Sequence, residues 1–194
     1  MRLYNPVSMR LSGGNMKIRS DRFNTYFLLA AVLALVVGCQ TAEQKEKNEK
    51  KQLSTLRIHL EVSPDGTEAK DPVPVYRESP VLLHITKDPF LTEADVAGAK
   101  VLDIMGGFAI QIQVDRRGIF LLEQYTTANK GRRMVIFSQF GITKAEARWL
   151  AAPLIKQRIA DGFLVFTPDA TREESERIVR GLNNVAAKNK KRNL

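Results

Sequence analysis

Cysteine occurs once in these 194 residues, tryptophan once and histidine twice. A single thiol excludes an internal disulfide framework, and with only His59 and His84 beside it there is no local spacing that would build a Cys/His metal site. Nucleophile signatures are missing as well, since Ser138 and Ser175 lie in no Gly-x-Ser-x-Gly context. Gly106-Gly107 precedes a strand pattern rather than a helix, which reads as a turn or bulge and not as a phosphate loop. Both histidines are read as structural. No cofactor, no metal and no enzymatic activity is expected.

The apolar run Tyr26–Val37 is shorter than the roughly 20 residues needed to span a bilayer. Lys17, Arg19 and Arg22 precede it, and Leu35-Val36-Val37-Gly38-Cys39 closes it with a small residue before the only thiol. This is the arrangement of a bacterial lipoprotein leader: residues 1–38 read as a signal peptide, with Met1, Met9 and Met16 as alternative starts, and Cys39 as the site of a thioether-linked diacylglycerol. An uncut N-terminal anchor with an unmodified thiol is the alternative. On the first reading the protein is lipid-anchored in the cell envelope and faces outside the cytoplasm.

The formal net charge of +9 falls to +5 without the first 38 residues, which hold five Lys/Arg and one Asp. That excess is modest, and much of it sits at the C-terminal end, so no nucleic-acid partner is expected. Residues 39–54 combine the lipid site with a charged run rich in Lys and Glu that has almost no apolar residue before Leu53. They read as a flexible tether with a reach of roughly 20–24 Å. The folded domain is expected over 55–187, followed by a basic tail, 188–194, which is either solvated or in contact with anionic lipid.

Within the domain, Leu56, Ile58, Leu60 and Val62 alternate with Arg57, His59 and Glu61, predicting a strand with one buried and one wet face. Pro72, Pro74 and Pro80 confine the next segment to edge or irregular structure. Strands are predicted at Val81–Thr86, Val101–Ile104, Phe108–Val114, Met134–Phe137, Trp149–Ile155 and Phe163–Phe166. Thr92-Glu93-Ala94-Asp95 predicts a short helical turn. Asp115 is positioned to N-cap a helix over Arg116–Asn129 that Gly131 ends. Thr171-Arg172-Glu173-Glu174 has the capping-box pattern of a last helix, whose buried face would hold Ile178, Val179, Leu182, Val185 and Ala186. The fold class is α+β: a mixed, mainly antiparallel sheet with two principal helices on one face, similar to a ferredoxin-like arrangement.

Between Val81 and Ala187 the order of motifs resembles the head subdomain of the first periplasmic domain of SecD, a protein-export subunit. The matching stretches are Gln113-Val114-Asp115 before the helix, Thr126-Thr127-Ala128-Asn129-Lys130-Gly131-Arg132-Arg133, Ala151-Ala152-Pro153-Leu154-Ile155, and Phe166-Thr167-Pro168-Asp169-Ala170-Thr171. Leu82-Leu83 and Asp88-Pro89-Phe90-Leu91-Thr92 are similar to the segment that introduces that region. The chain departs from the family at Ser138-Gln139-Phe140-Gly141, where a Leu-Asp-Gly-like hairpin is usual, and at Gln157–Gly162, where a glycine-rich segment is usual. The membrane helices through which SecD couples export to the proton-motive force have no counterpart in this sequence, so that activity does not carry over.

Arg132, Arg133 and Trp149 are the candidate protein-binding residues, since Arg and Trp are favoured interface anchors. The competing reading puts Trp149 in the core and the arginines in solvent. The resemblance implies a membrane-tethered protein-binding or accessory module related to export, touching exported polypeptide or the translocation machinery. A structural envelope lipoprotein bound to another membrane assembly is the alternative.

Overall fold

The computed structural model describes residue 44 and residues 46–65 and 72–192. The leader and Cys39 lie outside the described residues. The elements, in order, are β1 (Arg57–Leu60), β2 (Val73–Val75), β3 (Val81–Leu83), β4 (Leu91–Thr92), a 3₁₀ turn (Glu93–Asp95), β5 (Val96–Ile104), β6 (Gly107–Val114), α1 (Arg116–Ala128), β7 (Met134–Phe140), β8 (Glu146–Ala151), β9 (Phe163–Phe166) and α2 (Arg172–Arg192).

The strands divide into a four-stranded sheet ordered β4-β1-β7-β8, a three-stranded sheet ordered β5-β6-β9, and the hairpin β2-β3. Every described pairing is antiparallel. The α+β class therefore holds, while the single mixed sheet of the sequence reading resolves into two antiparallel sheets that share a core with both helices. Leu56 just before β1, Ile58 and Leu60 from β1, Ile110, Ile112 and Val114 from β6, Leu164 and Phe166 from β9, Leu122 from α1 and Ile178 and Leu182 from α2 all meet there.

β6 follows its sequence pattern: Ile110, Ile112 and Val114 are buried, and Gln111 and Gln113 stand on the wetter face. Asp115 caps α1 by accepting from Gly118 N at 2.8 Å. Thr171 and Glu174 form the reciprocal cap of α2, with Glu174 N donating to Thr171 Oγ1 at 3.2 Å and Thr171 N to Glu174 Oε2 at 2.8 Å. These caps work because each satisfies a helix N–H that has no intrahelical partner.

β1 departs from its pattern. His59, expected on the wet face, is buried. The hairpin β2-β3 covers that side with Val73, Val75 and Leu83, which join Ile85, Val135 and Ala152 in a second apolar cluster with Trp149 packed against it. The hairpin is fixed at its turn: Tyr76 takes a left-handed φ of 71°, its hydroxyl accepts from Ala152 N at 3.3 Å, and Arg77 N donates to Asp169 at 2.8 Å.

Several boundaries move: β5 starts at Val96 rather than Val101, and β3 ends at Leu83 rather than Thr86. β7 runs on through Ser138, Gln139 and Phe140, so the altered turn read at Ser138–Gly141 begins only at Gly141. β8 correspondingly runs Glu146–Ala151 rather than Trp149–Ile155. At the N-terminal side, residues 46–51 are helical and Gln52 and Ser54 are buried. Asn184 Nδ2 donates to the carbonyls of Glu49 and Gln52 at 3.0 and 2.9 Å. Packed structure thus begins ahead of residue 55, inside the stretch read as tether. A Cβ on Gly181 would stand 2.2 Å from Ser54 Oγ and 2.7 Å from its backbone nitrogen, so α2 and this strap touch backbone to backbone.

Candidate binding groove

A groove of about 610 Å³ opens where the end of β1, the loop before β4, the last turn of α1 and the approach to β7 converge. Its apolar wall is Phe90 stacked on Tyr125, with ring centroids 4.4 Å apart and planes 15° from parallel. Local hydrogen bonding explains why these rings meet. Phe90 N donates to Ile58 O at 2.9 Å, pinning the loop to β1, and Thr86 Oγ1 donates to Asp88 O at 2.9 Å to tighten it. On the other side Asn129 ends α1, its side-chain amide donating to Tyr125 O at 3.0 Å. Gly131 then turns the chain with a left-handed φ of 84°, which glycine alone adopts without steric cost. Lys87, Asp88 and Arg132 line the same groove and are exposed.

The three residues singled out from sequence have different immediate contacts. Arg132 lies at the groove. Arg133 is half-buried and donates through Nη1 to Ala152 O at 3.0 Å, while its backbone N–H donates to Glu61 Oε2 at 3.1 Å. Trp149 is half-buried in the second cluster, 4.8 Å from Phe137 and 5.8 Å from His59, ring centre to ring centre. Adjacent arginines thus have different neighbours, and Arg133 reaches Ala152 of the cluster against which Trp149 packs. Phe90, Tyr125 and Lys87 were not singled out. Their only signal was Asp88-Pro89-Phe90 ahead of a helical turn, and the stacking partner is 35 residues further on.

Strong electrostatics lie elsewhere. Arg148 clamps Glu174 through two nitrogens at 2.7 and 3.0 Å, and Arg77 adds a third cationic contact at 3.9 Å. Arg148 and the Thr171 N–H together pull the Glu174 carboxyl down to about 2. Arg177 makes a similar two-point contact with Glu146, and both arginines lie over the Phe140 ring. These groups tie β8 to α2 and are saturated by one another. Among the described residues there is no group of three or more His, Cys, Asp or Glu side chains that could hold a metal ion.

No protein-family model and no curated sequence matches the chain. Solved structures do. A structure of a membrane component, SecDF, that enhances protein export aligns with a TM-score of 0.51 and 20% identity, covering 75% of this chain and 69% of that one. SecDF in a super-membrane-facing form aligns with a TM-score of 0.50 and 19% identity, covering 75% of this chain and 21% of that one. The fold resembles that of a SecD periplasmic domain. At these identities the likeness is one of fold. In this SecD-like frame, the Thr126–Arg133 and Asp88–Thr92 motifs that carry the sequence resemblance form two sides of the groove. Among the described residues no helix is long and apolar enough to cross a membrane.

Proposed function

We propose that this chain is an envelope lipoprotein, processed before Cys39 and tethered by lipid on that residue. Its SecD-like domain holds an extended segment of exported polypeptide, or a component of the translocation machinery, in the Phe90–Tyr125 groove. The role is one of binding, without an enzymatic step. The groove carries this reading: Tyr125, half-buried and backed by the buried Phe90, gives it an apolar side for a passing side chain, and Lys87, Asp88 and Arg132 offer charged and hydrogen-bonding groups to a peptide backbone. The likeness to a SecDF that enhances protein export supports the choice of partner.

In-cell photocrosslinking from positions 87 and 132 tests it. Polypeptide in transit should be captured from both, and Arg132→Glu should cut the yield from position 87 several-fold. Capture of protein only from remote exposed positions such as Leu82 would overturn the groove as the binding surface.

A further inference from the structure

The SecD-like reading leaves Arg116 and Arg117 unused, and they sit where cations are unfavourable. They open α1, which has no acidic residue in its first turn, although the helix dipole there favours negative charge. Arg117 is partly compensated by Asp95, with Nη1 3.1 Å from Oδ1, but Arg116 is exposed. One turn further on, Phe120 is 66% exposed.

The tertiary fold brings a second basic group to the same end. A groove of about 490 Å³ is lined on one side by Asp115 and Ala97 and on the other by Ala186, Ala187, Asn189 and Lys190 of α2. The start of α1 and the end of α2 are therefore neighbours, and Lys188, Lys190, Lys191 and Arg192 are all exposed there. The nearby acids are engaged: Asp115 accepts from Gly118 N, Asp95 accepts from Thr92 N at 3.0 Å besides its contact with Arg117, and Glu49 pairs with Arg180 at 3.0 Å.

We infer that this end of the domain, Arg116, Phe120, Lys188, Lys190, Lys191 and Arg192, is a docking surface for an anionic lipid bilayer. Cations over lipid phosphates with an aromatic side chain at the headgroup boundary is the chemistry by which peripheral surfaces bind acidic membranes. The covalent path favours a bilayer over an acidic protein, and here the inference rests on the lipid anchor of the proposed function. The strap joins α2 at Asn184, about 12 Å from its basic end. The stretch from Cys39 to Glu46, fully extended, reaches at most about 25 Å. A domain held that close to a bilayer meets it at high effective concentration with this end within reach. The contact would fix the orientation of a domain that the anchor alone leaves free to turn.

The test uses the full chain, isolated from membranes and reconstituted with brominated-acyl lipids. The probe is the indole introduced by Phe120→Trp, with the parent chain, whose Trp149 is half-buried, as baseline. In vesicles of phosphatidylglycerol and phosphatidylcholine in equal parts the added fluorescence should be quenched. In phosphatidylcholine alone it should not, and the quenching should vanish in roughly 1 M salt, where the Debye length falls to about 3 Å. Changing Lys188, Lys190, Lys191 and Arg192 to Gln together should reduce the quenched fraction at least about tenfold, and Arg116→Gln alone about fivefold. Circular dichroism confirms that each variant is folded. Quenching that is absent, or equal in the two lipids, overturns the proposal and favours an acidic protein as partner of this end. Flotation of the same samples with neutral vesicles reads the anchor separately: a chain that floats without charge-dependent quenching keeps its anchor and loses this surface, and one that is quenched on acidic vesicles without floating on neutral ones does the reverse.

Discussion

Glu174 shows how one side chain can serve three neighbours. Its carboxylate caps α2 through the Thr171 N–H, takes two hydrogen bonds from Arg148 on β8, and lies 3.9 Å from Arg77 of the hairpin turn. The side chain is 15% exposed, so water screens these contacts only weakly. Because the folded carboxyl sits at about 2 and an unfolded one near its ordinary 4.5, the stabilisation is fully present above about pH 4.5. It is lost as pH falls toward 2, and amounts to on the order of 2–3 kcal/mol. Glu174→Gln should therefore be less stable than the parent at neutral pH, with the gap closing through that acid window. Urea titrations of the compact unit Lys45–Leu194 at several pH values check this, and a gap independent of pH would refute it. The sequence showed this residue as a helix cap, which is local. It could not show Arg148, 26 residues away, as its partner.

Among the elements, α2 was the most legible, because its capping pattern and 3.6-residue spacing agree. Ile178 and Leu182 are buried, Val179, Val185 and Ala186 half-buried, and Glu176 exposed. Leu182→Ala should cost on the order of 2–5 kcal/mol, and Glu176→Ala within about 0.5 kcal/mol. Comparable losses in urea titrations would mean the helix packs by another face. β6 and α1 were legible for the same reason, each having one apolar face and a clear start. β1 was half legible: its alternation located the strand, but the hairpin that buries His59 is built from a proline-rich segment, Val73-Pro74-Val75, that reads as irregular. Pro74 fits there because its outward position leaves both flanking valines to pair with Leu83 and Val81. β7 hid its last residues because Ser138 and Gln139 look like turn residues. Ser138 is buried all the same, its hydroxyl donating to Thr55 O at 2.8 Å. The groove was illegible because its two rings come from separate elements and meet only in three dimensions.

At the scale of the molecule, the reading divides between a SecD-like domain, which the structure displays, and an anchor, which a chemical experiment decides. Cys39→Ser removes the only sulfur able to form a thioether to diacylglycerol. Labelled fatty acid should therefore enter the parent and not the variant, and the membrane-bound fraction should fall sharply, since a single acyl chain holds a protein only marginally and stable attachment takes more than one. Equal labelling of both would refute the lipoprotein reading. The close approach of Gly181 to Ser54 also has a temporal side. Glu49 and Asn184 are 135 residues apart in sequence, and a chain is delivered N-terminus first. The strap has its seat only once α2, the last of the described elements, has emerged. Closing so long a loop is slow, because its entropy is lost before any contact rewards it. During that interval Gln52 and Ser54, buried in the finished fold, stay open to solvent and proteases, and α2 acts as the latch that shuts them away afterwards.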